Sequence, residues 1–471
     1  MIALKSMHQG SNLLFIQRLS HVLTVLLLAL AGILPASVSA QEREIPDMPA
    51  RPRVPIYDPG QPVMRKVLKN GVRLLVKEQR TSDRVAGVVG LRAGTLYETE
   101  LESGLSQVLF RTIKAGTEGR TPVQLQLELV AASVDLDASS GPDLGQISVV
   151  TTREQTAKAA ALLADVVLRP SFPDTSFESA RAHFLSKASD ELESPLPATY
   201  AIFLRTMYRG SPLERPAFGR ARSLAEARRS DVQALYKKLF VGGNLTVCFV
   251  GNIDGKKLMG QLEKAFQDAP AGAAPNPEAG DPMPLASDTL VTEERSIRAK
   301  SLTYGFPAPG YDDPDHPAFL IIDSYLRSGD RSPITFWLPE RRVATGVGIL
   351  YPRYPRRSSI AVYLGATTTN WQAARDTVAA VFARLKTDPL DEAEYNVHLR
   401  RVQNAFFNEQ SNPLVRARDL TRYETQGVGI EYPKQFETRL LALKPEVVRD
   451  VAARWMTHAV EVALTPPADG P

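Results

Sequence analysis

Gly104-Leu-Ser-Gln-Val-Leu-Phe-Arg-Thr-Ile-Lys-Ala-Gly-Thr117 (GLSQVLFRTIKAGT) is the stretch from which the rest of the chain is read. Leu105, Val108, Leu109 and Thr112 fall on one stripe, at the spacing that packs a helix onto a core. Gln107, Phe110 and Arg111 fall on a second stripe, at i, i+3 and i+4. Two metal ligands and a general base could share a helix face at that spacing. An amide, a phenyl ring and a guanidinium stand there instead.

Working outward, a strand at 85–92 (VAGVVGLR) precedes this helix, joined to it through Gly-Thr-Leu-Tyr-Glu. The same order recurs later: a strand at 299–306 (AKSLTYGF), a Gly-Tyr-Asp-Asp loop, then a helix at 318–326 (AFLIIDSYL). Helices are expected at 154–169, stopped by Pro170, at 174–193 with Asp174 as N-cap, and at 223–240 before Gly242-Gly243. Each half closes on an apolar strand, 245–251 (LTVCFVG) or 460–464 (VEVAL). The expected fold class is therefore α+β: two homologous domains from an internal duplication, each an antiparallel-rich sheet covered by helices.

Residues 41–62 carry six prolines and read as an extended arm; 269–287 (APAGAAPNPEAGDPMPLAS) reads as a linker. The domains are then 63–268 and 288–465, with 466–471 a tail. Residues 1–40 resemble a signal peptide: Lys5 and Arg18, an apolar run at 22–34, and Val38-Ser39-Ala40 as a cleavage site after Ala40. The run is short for a bilayer span, which needs ~20 residues. The expectation is a periplasmic or secreted protein with no membrane contact after cleavage; a retained anchor is the alternative. Without 1–40 the balance is 54 basic against 52 acidic residues, which gives no case for nucleic acid. Cys248 is the only cysteine, so no intramolecular disulfide can form. It lies in an apolar strand, which argues against a thiol nucleophile.

Several segments together resemble the pitrilysin/insulinase family of zinc peptidases, whose helix carries His-x-x-Glu-His. They are Leu91-Arg-Ala-Gly-Thr-Leu-Tyr-Glu98, Gly104, Lys114-Ala-Gly-Thr117, Tyr208-Arg-Gly-Ser-Pro-Leu-Glu-Arg-Pro-Ala-Phe-Gly219 and Asn244-Leu-Thr-Val-Cys-Phe-Val-Gly-Asn252. The resemblance implies that the two domains form half of a clamshell chamber. It also implies that residues 136–140 (Leu136, Asp137, Ala138, Ser139, Ser140) form an edge strand that pairs with an extended peptide.

The chain departs from the family where the chemistry would be. The zinc histidines fall on Gln107 and Arg111, the catalytic Glu on Phe110, and the third ligand on Ala188, with Glu191 and Glu193 nearby but out of register. An Arg and a Tyr that hold substrate in active members fall on Pro339 and Gly346, with Arg341 and Arg342 close by. Zinc hydrolysis needs about three ligands and an open position for water. Glutamine is a poor ligand, arginine brings a fixed positive charge, and phenylalanine accepts no proton. Beyond residues 1–40 the histidines are His183, His316, His398 and His458, no two within four positions of each other. His316 is read as part of a loop turn. Neither a nucleophile elbow nor a nucleotide fingerprint is present.

The expectation is thus no catalytic residue, no metal and no zinc cofactor in this chain. It would be an exported, non-catalytic subunit whose partner is an HxxEH-bearing zinc-peptidase homologue (a heterodimer) or a second copy (a homodimer). The alternative is a binding or scaffold protein with no peptidase partner, using the basic turn at 351–357 (YPRYPRR) or the proline-rich arm.

Overall fold

Valine and small residues build the central strands. β3 (Arg84–Leu91) is buried along nearly its whole length, which requires a strand on each side and a cover on each face. The structure is a computed structural model that describes residues 62–277, 283–327, 332 and 334–467. The expected signal peptide, nearly all of the arm, the middle of the linker and most of the tail lie outside the described residues.

The first half adds β1 (Met64–Val67), β2 (Arg73–Glu78), β4 (Asp135–Ser140), β5 (Gly145–Thr152) and β6 (Thr246–Gly251), in the order β1-β2-β6-β3-β5-β4. The second half has β7 (Thr289–Glu294), β8 (Lys300–Pro309), β9 (Thr345–Leu350), β10 (Arg357–Ala366) and β11 (Val460–Thr465), in the order β7-β11-β8-β10-β9. Leaving out β1, the two orders match strand for strand. Even the single parallel contact recurs, β2 with β6 and β7 with β11. The class is α+β and the duplication is visible in the topology.

Each half has its own core, one built from residues between Val72 and Ala269, the other from residues between Leu302 and Ala459. The halves also exchange helices. The Pro195–Met207 helix belongs to the first half by sequence but lies on β8, β10 and β11. Ala198, Ile202 and Phe203 are buried there with Ala361, Val460, Val462 and Leu464. The Thr199 and Thr303 hydroxyls meet at 2.9 Å, and the Tyr208 hydroxyl donates to Ser359 Oγ at 3.0 Å. In return the Pro413–Gln426 helix lies on β3 and β6, with Ala417 and Leu420 over Leu75, Ala86, Val88, Cys248 and Val250.

Three expectations are corrected locally. The helix expected over 223–240 is two helices, Ala221–Glu226 and Arg229–Leu239. Ala227 is extended, and the Asp231 carboxylate accepts the Arg228 N–H at 2.8 Å, capping a new start. Asp174 is the first residue of the Asp174–Glu193 helix, not its cap; Pro173 occupies that place, and the carboxylate instead faces the helix dipole. His316 opens the His316–Arg327 helix rather than lying in a loop turn, is buried, and places Nδ1 2.8 Å from Tyr351 Oη.

Candidate functional site

The Leu105–Thr112 helix is held by its N-terminus. The buried Glu98 carboxylate accepts from the Gly104 N–H at 3.0 Å and the Ser106 N–H at 2.6 Å, and meets the positive end of the dipole. Burial raises its pKa against the pull of those two bonds. Gly104 and Gly219 both have left-handed φ, +92° and +91°, and lie back to back. A Cβ on Gly219 would come 2.4 Å from the Gly104 Cα. The two motif glycines, far apart in sequence, are therefore one contact. At the other end Lys114 reaches Asp137 on β4 at 3.1 Å. Asn244 brackets the end of β3, donating to Arg92 O and accepting from Arg92 N, both at 3.0 Å.

On this intact frame the ligand face is filled with other contacts. Phe110 is 1% exposed, its ring tilted against Phe240 at 6.1 Å and pressed on Gly145 of β5. Gln107 Nε2 donates to Ser140 O at 3.1 Å and to Ala217 O at 3.4 Å. Arg111 is exposed. Its charge, added to burial, pushes the neighbouring His183 imidazole below its ordinary pKa. Ala188 is buried and offers no donor atom. Glu191, one turn further along the same helix, is buried against the loop that Gln107 holds. The Ala217 and Phe218 N–H groups bond to its carboxylate, whose Oε2 meets no protein partner, and burial pushes its pKa up. Gln107 and Glu191 thus grip one loop from two sides, a pairing that no spacing in the sequence reveals.

β4 is an edge strand, paired only with β5. The Gly141 N–H donates to Leu144 O at 2.8 Å, so by the alternation of antiparallel bonds Ser139, Asp137 and Asp135 bond inward. Leu136, Ala138 and Ser140 then turn their main-chain groups to the open edge. Two of those groups are already engaged. Gln107 occupies the Ser140 carbonyl, and the Ala138 N–H bonds to the Asp137 carboxylate. Burial opposes the charge on Asp137, yet Lys114, that N–H and Arg418 together hold its carboxyl below its ordinary pKa.

The family model described as "Insulinase (Peptidase family M16)" matches residues 73–220, and "Peptidase M16 inactive domain" matches 227–402. The chain belongs to the M16 peptidase family. A Rickettsia felis protein named "Uncharacterized zinc protease" is 21% identical over 413 residues, covering 85% of this chain and 97% of that one. An Arabidopsis thaliana protein named "Probable mitochondrial-processing peptidase subunit beta, mitochondrial" is 21% identical over 367 residues, covering 75% of this chain and 65% of that one. Among solved structures, a protease from Helicobacter pylori has a TM-score of 0.78 at 17% identity, covering 86% of this chain and 99% of that one.

An M16 zinc site does not fit the residues present. Of the three positions to which the sequence resemblance assigns the ligands, Gln107 is an amide bound to two carbonyls, Arg111 a guanidinium and Ala188 a methyl group. Among the described residues, no group of three or more His, Cys, Asp or Glu side chains converges to hold a metal ion. The positions to which the resemblance assigns the substrate-holding Arg and Tyr are Pro339 and Gly346. Pro339 lies in the short Trp337–Glu340 helix and Gly346 is the second residue of β9. Arg341, exposed, lies 4.8 Å over the Trp337 ring, and Arg342 has a φ of +55°. Two further buried candidates lie away from the Leu105–Thr112 helix. Burial pushes the Cys248 thiol up to about 12 and the His316 imidazole down to about 3.

Proposed function

We propose that this chain is an exported, non-catalytic M16 subunit that completes a peptide-processing chamber with an HxxEH-bearing catalytic homologue. The observation that carries the reading is the ligand face of the Leu105–Thr112 helix. The frame is kept, from Glu98 to Lys114, while Phe110 and Gln107 fill the face with packing and hydrogen bonds. A frame kept without its ligands suits a subunit whose shape still matters. A relative named as a peptidase subunit supports pairing, and residues 1–40 support export. No helix among the described residues is long and apolar enough to cross a membrane. Zinc is not expected to bind.

Co-expression with an HxxEH-bearing M16 protein from the same source tests this. A stable complex that cleaves peptides, is stopped by chelator and is inert as this chain alone supports pairing. No association with any such homologue, or zinc-dependent cleavage by the pure chain, refutes it. A second reading is a scaffold protein without a peptidase partner, on the same fold. The engaged edge of β4 and the loss of Pro339 and Gly346 as Arg and Tyr positions favour it. Pull-downs from the exported fraction that recover no peptidase would select that reading.

A further inference from the structure

The duplication gives the first-half ligand helices counterparts in the second half. His316–Arg327 corresponds to Leu105–Thr112, following β8 as that helix follows β3, and Glu392–Ser411 corresponds to Asp174–Glu193, each the second helix after the matching strand, β10 or β5. In the first half Phe110, on the first of these helices, packs its ring on Phe240 and Gly145. In the second half Leu320, Phe406 and Glu409 of the counterpart helices line an open cavity of about 350 Å³. Its wall is aromatic: Tyr423 and Tyr432 have centroids 4.6 Å apart, Tyr311 lies 6.3 Å from Tyr423, and Phe436 lies 6.1 Å from Tyr432.

Charges of both signs line the same space: Arg353, Arg422, Glu409 and Asp419, of which Arg422 and Asp419 act on each other. Neither Arg353 nor Glu409 forms an ion pair among the described residues, though both border the cavity. Tyr311 is 4% exposed and its hydroxyl meets no protein partner; nor does Arg422 Nε. Two orphan donors and an unpaired guanidinium suit a carboxylate. Glu409 suits an ammonium group, and the rings suit an apolar side chain and add cation–π attraction. Arg353 is held at a φ of +56°, a conformation that a non-glycine residue adopts at a cost.

We infer that this cavity binds a zwitterion with an aromatic or large apolar side chain, a free amino acid or a short peptide fragment. The carboxylate would lie toward Arg353, Arg422 and Tyr311, and the ammonium toward Glu409. The site does not depend on the pairing proposed above, since every residue named belongs to this chain.

Calorimetric titration of the full chain tests the site with four probes: L-phenylalanine, the dipeptide Phe-Ala, N-acetylphenylalanine and phenylalanine amide. Both zwitterions bind saturably, and blocking either charge weakens binding at least about tenfold, the worth of a charge-assisted hydrogen bond. Tighter binding of Phe-Ala assigns the source to peptide fragments, and tighter binding of phenylalanine to free amino acids. Arg353→Ala and Glu409→Gln, both outside the cores, keep the thermal midpoint and weaken binding about tenfold. No saturable binding, equal binding of a charge-blocked probe, or folded variants with unchanged affinity overturns the site.

Discussion

Phe110, where the family resemblance assigns the catalytic Glu, is a packing residue. Its ring lies where Gly145 leaves room, and a Cβ on Gly145 would come 2.0 Å from the Phe110 Cζ. Gly145→Ala is therefore expected to destabilise the chain by about 1–3 kcal/mol through overpacking, and Phe110→Ala by about 3–5 kcal/mol through a cavity. The two should not add: in the Phe110→Ala background the added methyl has space, and chemical denaturation should show the Gly145→Ala penalty shrinking or reversing sign. The sequence exposed Phe110 as a departure from the motif, but Gly145 carried no signal, because a glycine that accepts a ring looks like any other strand glycine. Asp419 gives a second residue-scale test. Burial pushes its carboxyl up to about 7, with the Arg422 charge opposing. The folded state then holds the proton more tightly than the unfolded chain, whose Asp titrates near about 4. The stability tied to this group is full below about pH 4 and is lost as pH rises through about 7, by an amount on the order of 2–4 kcal/mol. Asp419→Asn should flatten that part of the stability–pH curve, and an unchanged slope would place the titration elsewhere.

Elements follow the same division between what periodicity exposes and what it hides. The Asp174–Glu193 helix is legible because a 3.6-residue pattern repeats along it, whereas the β4 edge is reached through the family resemblance. The break at Ala227 is not, because Asp231 capping Arg228 is a single side-chain bond within an otherwise helical composition. The use of the β4 edge is also hidden. Its register leaves Leu136, Ala138 and Ser140 facing outward, but Gln107 and Asp137 each occupy one of those main-chain groups. If extended peptides add to this edge, Gln107→Ala should free the Ser140 carbonyl and tighten binding roughly fivefold, the worth of one hydrogen bond of about 1 kcal/mol. Asp137→Ala should act in the same direction by freeing the Ala138 N–H, with only a small effect on stability because its pairing with Lys114 is exposed. Fluorescence anisotropy with a labelled extended peptide measures both. Affinities unmoved by either substitution would place peptide binding away from β4.

At the scale of the molecule the duplication was readable from element order, and the matching strand orders bear it out. The exchange of helices was not. An apolar helix face announces that it will be buried, not which sheet will bury it, and the Pro195–Met207 and Pro413–Gln426 helices each follow directly on a helix of their own half. Their destinations make each sheet depend on the other half of the chain. Without Pro413–Gln426, the first sheet would leave Leu75, Ala86, Val88, Cys248 and Val250 facing water; without Pro195–Met207, the second would leave Val460, Val462 and Leu464 bare. Each is an apolar surface of the kind that drives aggregation. Residues 62–277 and 283–467 produced separately should therefore be insoluble or loosely folded, while co-expression should yield a soluble complex with the circular dichroism and cooperative melting of the intact chain. Leu420→Ala in the intact chain should cost about 2–4 kcal/mol, because a helix from one half then packs less well on the sheet of the other. If either half alone melts cooperatively near the midpoint of the full chain, the exchanged helix is an accessory to that half rather than part of its core.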